Sequence, residues 1–172
     1  MLTNFDIENI CDYYEIPLLG VVMKDELPNK VTDGNFIINL ESSVVKNGKP
    51  LIGSHWTALV VKGSQAFFFD SFGAYPSIEI VNYCKRRKGL HLVMNNAMIQ
   101  NIQSENCGYY CISLLLYLKH SEGSLFNLAE RYTEIYADDT MKNDAILRNI
   151  FKCYSVKPYL SLIKRLMNEM RK

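Results

Sequence analysis

The stretch Gln100-Asn101-Ile102-Gln103-Ser104-Glu105-Asn106-Cys107-Gly108-Tyr109-Tyr110-Cys111 decides how the chain is read. A polar segment ends in Cys107-Gly108 and continues straight into Ile112-Ser113-Leu114-Leu115-Leu116-Tyr117-Leu118. That run is apolar nearly all round, which predicts a buried helix. Cys107 then stands at a helix N-terminus, where unpaired backbone N–H groups and the helix dipole favour negative charge. A thiol so placed has its thiolate favoured, and the thiolate is the nucleophile. Gly108 lacks a side chain, so a substrate backbone could come close to the sulfur. Cys111 lies one turn further on the same face, deeper, and is the rival nucleophile.

A nucleophilic cysteine needs a base, and the chain has three histidines: His55, His91 and His120. His55 precedes the strand-like run Thr57-Ala58-Leu59-Val60-Val61; a Lys62-Gly63-Ser64 turn leads to a second run, Ala66-Phe67-Phe68-Phe69, ending in Asp70-Ser71-Phe72-Gly73. The two runs read as a hairpin. His55 at its entry and Asp70 at its exit share the open end, where the carboxylate can orient the imidazole and stabilise its charged form. His91 reads as a strand-edge residue and His120 as the end of the apolar helix. Nucleophile, base and orienting group are the set that thiol catalysis requires.

The order Gly53-Ser54-His55-Trp56, Asp70-Ser71-Phe72-Gly73, then Gln and Cys107-Gly108-Tyr109-Tyr110-Cys111 resembles the adenovirus-type (adenain-like) cysteine proteases, relatives of the SUMO-specific Ulp-type proteases. The resemblance runs from about Asn35 to Leu118 and includes Phe36-Ile37-Ile38-Asn39-Leu40. It implies Cys107 as nucleophile, His55 as general base and acid, and Asp70 as orienter. It also implies a glutamine whose amide helps form the oxyanion hole. Gln100, seven positions before Cys107, has the adenovirus-like spacing; Gln103, four before, is the alternative. The resemblance makes Trp56 a border of the substrate cleft, beside Gly108. The implied fold is α+β and papain-like: a central, mostly antiparallel sheet, the nucleophile at the start of a buried helix, and several surrounding helices.

The implied activity is a viral maturation endopeptidase that cleaves capsid or core precursors near small residues such as Gly. It would act in host cytoplasm or nucleus at assembly sites, or packaged in the virion. The alternative enzyme is an isopeptidase for a ubiquitin-like modifier, and the alternative class is a binding module on a protease-like scaffold. No cofactor is required by this chemistry, although activation by DNA or a viral peptide belongs to the resemblance. Lys85-Arg86-Arg87-Lys88 could contact phosphates, but cations in a last turn before Gly89 are equally a helix stop.

At 172 residues with a formal net charge of +1, the chain is expected to be one domain, 1–172, and a monomer; its charge names no partner. No apolar run is long enough to span a membrane, and Met1-Leu2-Thr3-Asn4-Phe5-Asp6 does not read as a signal peptide. Five cysteines without framework spacing point to a reducing compartment, not a secreted scaffold. No metal-ligand spacing accompanies Cys107 and Cys111. A helix is expected from Thr3 to Tyr14, closed by Pro17, and another from Pro76-Ser77. Leu18 to Pro28 is read as cleft wall or plain scaffold, Ser42 to Pro50 as a loop, and His91 to Asn96 as a strand. Three more helices are expected at Ser124–Tyr136, Thr140–Phe151 and Ser155–Met170.

Overall fold

The structure, a computed structural model, describes residues 1–43 and 55–151. Its elements in chain order are α1 (Asn4–Tyr13), β1 (Gly20–Met23), β2 (Gly34–Asn39), β3 (Trp56–Lys62), β4 (Gln65–Phe69), α2 (Ile78–Lys85), β5 (His91–Met94), α3 (Cys107–Lys119), α4 (Leu125–Glu134) and α5 (Thr140–Phe151). The expected loop at Ser42–Pro50 falls largely, and the helix at Ser155–Met170 wholly, outside the described residues.

The five strands form one sheet in the order β1-β2-β3-β4-β5. The expectation of a mostly antiparallel sheet needs correction. The inner pairs β2–β3 and β3–β4 are antiparallel, but β1 and β5 join the edges in parallel. Parallel pairing needs a crossover, and β4 reaches β5 through α2. The sheet is therefore mixed, in an α+β fold.

The hairpin forms where the pattern placed it, with Lys62 opposite Gln65. Its two-residue turn requires a positive φ, which Gly63 supplies at 59°. Neither β3 nor β4 alternates in polarity, because both sheet faces are covered. Ile37, Ala58, Val60, Phe67 and Phe69 pack with α1, α3, α4 and α5 on one face. Phe36, Ile38, Leu59, Val61 and Phe68 pack with Ile80, Tyr83 and Cys84 of α2 on the other. The helix α3 thus lies between sheet and outer helices, with Tyr110, Cys111, Ile112, Leu114 and Leu115 all essentially inaccessible. Burying such side chains stabilises by roughly 1.5–3 kcal/mol each.

Local sequence explains the helix ends. Thr3 caps α1 in a reciprocal capping box with Asp6. That helix stops before Pro17: Glu15 turns into the left-handed region at φ 53°, and the Lys119 ammonium bonds the carbonyls of Tyr14 and Glu15. Beyond α2, the four-cation run is partly used within the fold. Arg86 donates to the Pro28 carbonyl. Arg87 pairs with Asp33 and donates to the carbonyls of Gly63 and Val31. Two of the four cations therefore brace the loop before β2. Among the described residues, no helix is long and apolar enough to cross a membrane.

Candidate active site

Cys107 is the first residue of α3 and is only 2% exposed. The first helical acceptor in use is the Asn106 carbonyl, taken by the Tyr110 N–H. The N–H groups of Cys107 and Gly108 accordingly have no acceptor within the helix. The sulfur accepts a hydrogen bond from the backbone N–H of Trp56 at 3.4 Å. The sulfur thus sits between a backbone donor of β3 and the N-terminal end of its own helix.

Because Trp56 begins β3, its neighbour His55 stands at the same end of the sheet as the sulfur. Asp70 follows β4, and the hairpin brings it to His55 as expected. His55 Nε2 lies 2.9 Å from Asp70 Oδ1, which leaves Nδ1 as the nitrogen for the sulfur. The ring stacks on Phe72, with centroids 4.8 Å apart and planes 26° apart. Burial opposes charge on the imidazole. The Asp70 hydrogen bond, together with the Cys107 side chain as hydrogen-bond and charge partner, outweighs it and raises the His55 pKa to about 9. The residues expected as base, orienter and nucleophile are thus brought together.

Asp70 is fully buried, and its carboxylate is held on one oxygen. Oδ1 accepts from His55 and from the Phe72 N–H at 2.7 Å. Oδ2 is buried without a hydrogen-bond partner. The backbone is held more firmly. Asn95 Oδ1 accepts from the Asp70 N–H at 2.9 Å, Asn95 Nδ2 donates to the Asp70 carbonyl at 2.6 Å, and the Gly73 N–H reaches the same carbonyl at 2.8 Å.

Gln100 is placed differently from the oxyanion role implied by the resemblance. Its Oε1 accepts from the Ser71 hydroxyl at 2.6 Å, and its Nε2 donates to the Ser104 carbonyl at 2.8 Å and hydroxyl at 3.0 Å. Both amide hydrogens are therefore engaged within the loop before Cys107. Gln100, wholly buried, ties the residue after Asp70 to that loop. Gln103 is exposed, with its backbone N–H on Asn101 Oδ1.

Trp56 and Gly108 do adjoin, but Gly108 is covered. A Cβ there would lie 3.1 Å from Leu2 Cδ1 and 3.5 Å from Trp56 Cδ1. The Trp56 indole N–H donates to the Leu2 carbonyl at 2.9 Å. Beside them a cavity of about 570 Å³ is lined by Leu2, Val21, Met23, Glu26, Asn39 and Trp56. That part of the Leu18–Pro28 stretch is therefore wall to a cleft.

Cys111 is wholly buried, and its thiol donates to the Trp56 carbonyl at 3.5 Å. Burial pushes its pKa well up. It is part of the core. His91 pairs with Gln65 at the opposite end of β4 from Asp70, and His120 caps the far end of α3. Neither approaches the site. Among the described residues, no three of His, Cys, Asp and Glu converge as metal ligands.

Asn95, Phe72 and Leu2 escaped the sequence reading as site residues. Asn95 was visible only as the end of a strand, and nothing in its neighbours marks an amide that bonds a backbone 25 residues earlier. No protein-family model matches the chain, and no curated protein matches it.

Proposed function

We propose that the protein is a cysteine endopeptidase with Cys107, His55 and Asp70 as its catalytic triad. The reading is carried by one observation: a half-buried imidazole is oriented by Asp70 at 2.9 Å, with its other side toward a cysteine at a helix start. In acylation the Cys107 thiolate attacks a peptide carbonyl carbon. The oxyanion is met by the Cys107 N–H, and Gln100 joins only by leaving Ser104. As the C–N bond breaks, the imidazolium gives its proton to the leaving amine. In deacylation His55 takes a proton from water, the hydroxide attacks the thioester, and the thiolate departs. The imidazolium–thiolate pair is then restored.

The papain-like form of the fold and the role of viral maturation protease, acting on capsid or core precursors, belong to this reading. They rest on the ordered motifs around His55, Asp70 and Cys107. The cavity bordered by Trp56 has room for several residues of an extended peptide. The test is hydrolysis of a library of peptides with Gly-Gly and Gly-X bonds by wild type and Cys107→Ala. Cleavage by wild type alone is expected; equal cleavage by both, or by neither, overturns the reading.

A further inference from the structure

We propose that Asn95 is the positioning residue of the site: its side-chain amide grips the Asp70 backbone on both sides and thereby aims the carboxylate at His55. The inference rests on the triad reading and adds a residue to it.

Strand β5 ends at Met94, paired with Phe68. Beyond that point the ladder would leave the buried Asp70 N–H without a partner and the Asp70 C=O held by the Gly73 N–H alone. Asn95, 6% exposed, fills the gap with its side chain. One planar amide presents an acceptor to the Asp70 N–H at 2.9 Å and a donor to the Asp70 carbonyl at 2.6 Å. Its other hydrogen reaches the Ala97 carbonyl at 3.2 Å, so the side chain is itself fixed. At this length only an amide offers both functions; Asp lacks the donor and Leu lacks both.

The clamp matters because the carboxylate is thinly held. Oδ2 has no partner, and Oδ1 is shared between His55 and the Phe72 N–H. The direction of the side chain therefore follows from the backbone that carries it, and Asn95 fixes that backbone. Asn95 makes no hydrogen bond with His55 or Cys107, so it acts through Asp70.

The test follows His55 by NMR titration of its imidazole in substrate-free protein. It also follows the pH dependence of Cys107 alkylation by iodoacetamide. Both are done in wild type, Asn95→Ala and the milder Asn95→Ser, below the unfolding temperature of each. The titratable groups facing the ring are Asp70 and Cys107, with Cys111 beyond them. Neither Asn95 nor its replacements titrates, so a moved midpoint reports Asp70's placement. A wild-type midpoint near 9 is expected. Asn95→Ala should lower it by about one unit or more and cut kcat/KM by roughly 10²-fold, as displacements of about 1 Å do, with KM little changed. Asn95→Ser should fall between. A lower Tm with an unmoved midpoint and unmoved kcat/KM makes Asn95 structural only and overturns the proposal. Should Asn95→Ala not fold, an unmoved midpoint in Asn95→Ser does the same. A wild-type midpoint near 6.5 instead overturns the charged triad itself, and the role of Asn95 with it.

Discussion

The backbone N–H of Trp56 points at the sulfur of Cys107 from 3.4 Å. The first residue of a central strand is thus bonded to the first residue of the helix that crosses it. His55, one residue earlier, inherits its position from that bond. The Trp56 carbonyl takes the Cys111 thiol, so strand and helix are joined at two successive turns.

This arrangement separates the two cysteines. Cys107→Ala should lower kcat/KM by roughly 10⁴-fold or more, as loss of a nucleophile does. Cys111→Ala should keep activity within a few fold and cost about 1 kcal/mol for a small buried thiol. Mass spectrometry after limited iodoacetamide should find Cys107 modified and Cys111 protected.

The raised pKa of His55 has a definite sign. A folded value of about 9, above the unfolded value of 6.5, means the imidazolium contributes stability. That contribution is complete below pH 6.5 and is lost as pH rises through 9. Denaturant unfolding should show stability falling across that window, and kcat/KM should have an alkaline limb near 9. In Asp70→Asn the limb should move to lower pH, with a rate loss of about 10²–10⁴-fold.

Gln100 makes a test of the oxyanion question. Gln100→Ala leaves the Ser71 hydroxyl and the Ser104 carbonyl without their partner, an expected cost of roughly 1–3 kcal/mol. Were the amide also to swing onto the oxyanion, kcat should drop about 10²–10³-fold with KM unchanged. A stability loss with kcat within a few fold assigns Gln100 to the loop alone. Steady-state kinetics beside thermal unfolding separates the two.

Gly73 has a tighter constraint. Its φ is +70°, and a Cβ would fall 2.9 Å from the carbonyl carbon and oxygen of Asn96. Gly73→Ala should destabilise by about 2–4 kcal/mol, since backbone cannot yield as a flexible side chain does. It should also lower kcat/KM, because the Gly73 N–H sits on the Asp70 carbonyl. The contrasting Gly108→Ala meets the movable Leu2 side chain at 3.1 Å and Trp56 Cδ1 at an ordinary 3.5 Å. Its Tm should stay within a few degrees of wild type.

The legible parts of this site were those set by contiguous residues. The hairpin announced itself through two apolar runs and a Gly63 turn, and it alone dictates that His55 meets Asp70. The buried helix followed from its unbroken apolar run. What stayed hidden was set by single amides acting across the chain. Asn95 and Gln100 are polar yet buried, because the groups they satisfy are backbone and hydroxyl groups of the loops around the site. Strand direction was hidden as well. The residues of β1 and β5 do not record whether they run with or against their neighbours, which depends on the length of the connecting segments.

The last described helix touches the nucleophile's surroundings at several points. Asn143 donates to the Ile99 carbonyl, the Tyr110 hydroxyl donates to Asp144, and the Phe151 ring lies 5.1 Å from that of Tyr109. On the ribosome, the imidazole and the thiol therefore emerge well before the segment that steadies them. A newborn chain should stay harmless to itself and to the neighbours on its polysome until residues 140–151 have followed the thiol out of the ribosome. Nascent chains tethered through a C-terminal linker with residues up to 139 outside the ribosome should react with a thiol probe no faster than free cysteine, and those with residue 151 outside should react faster.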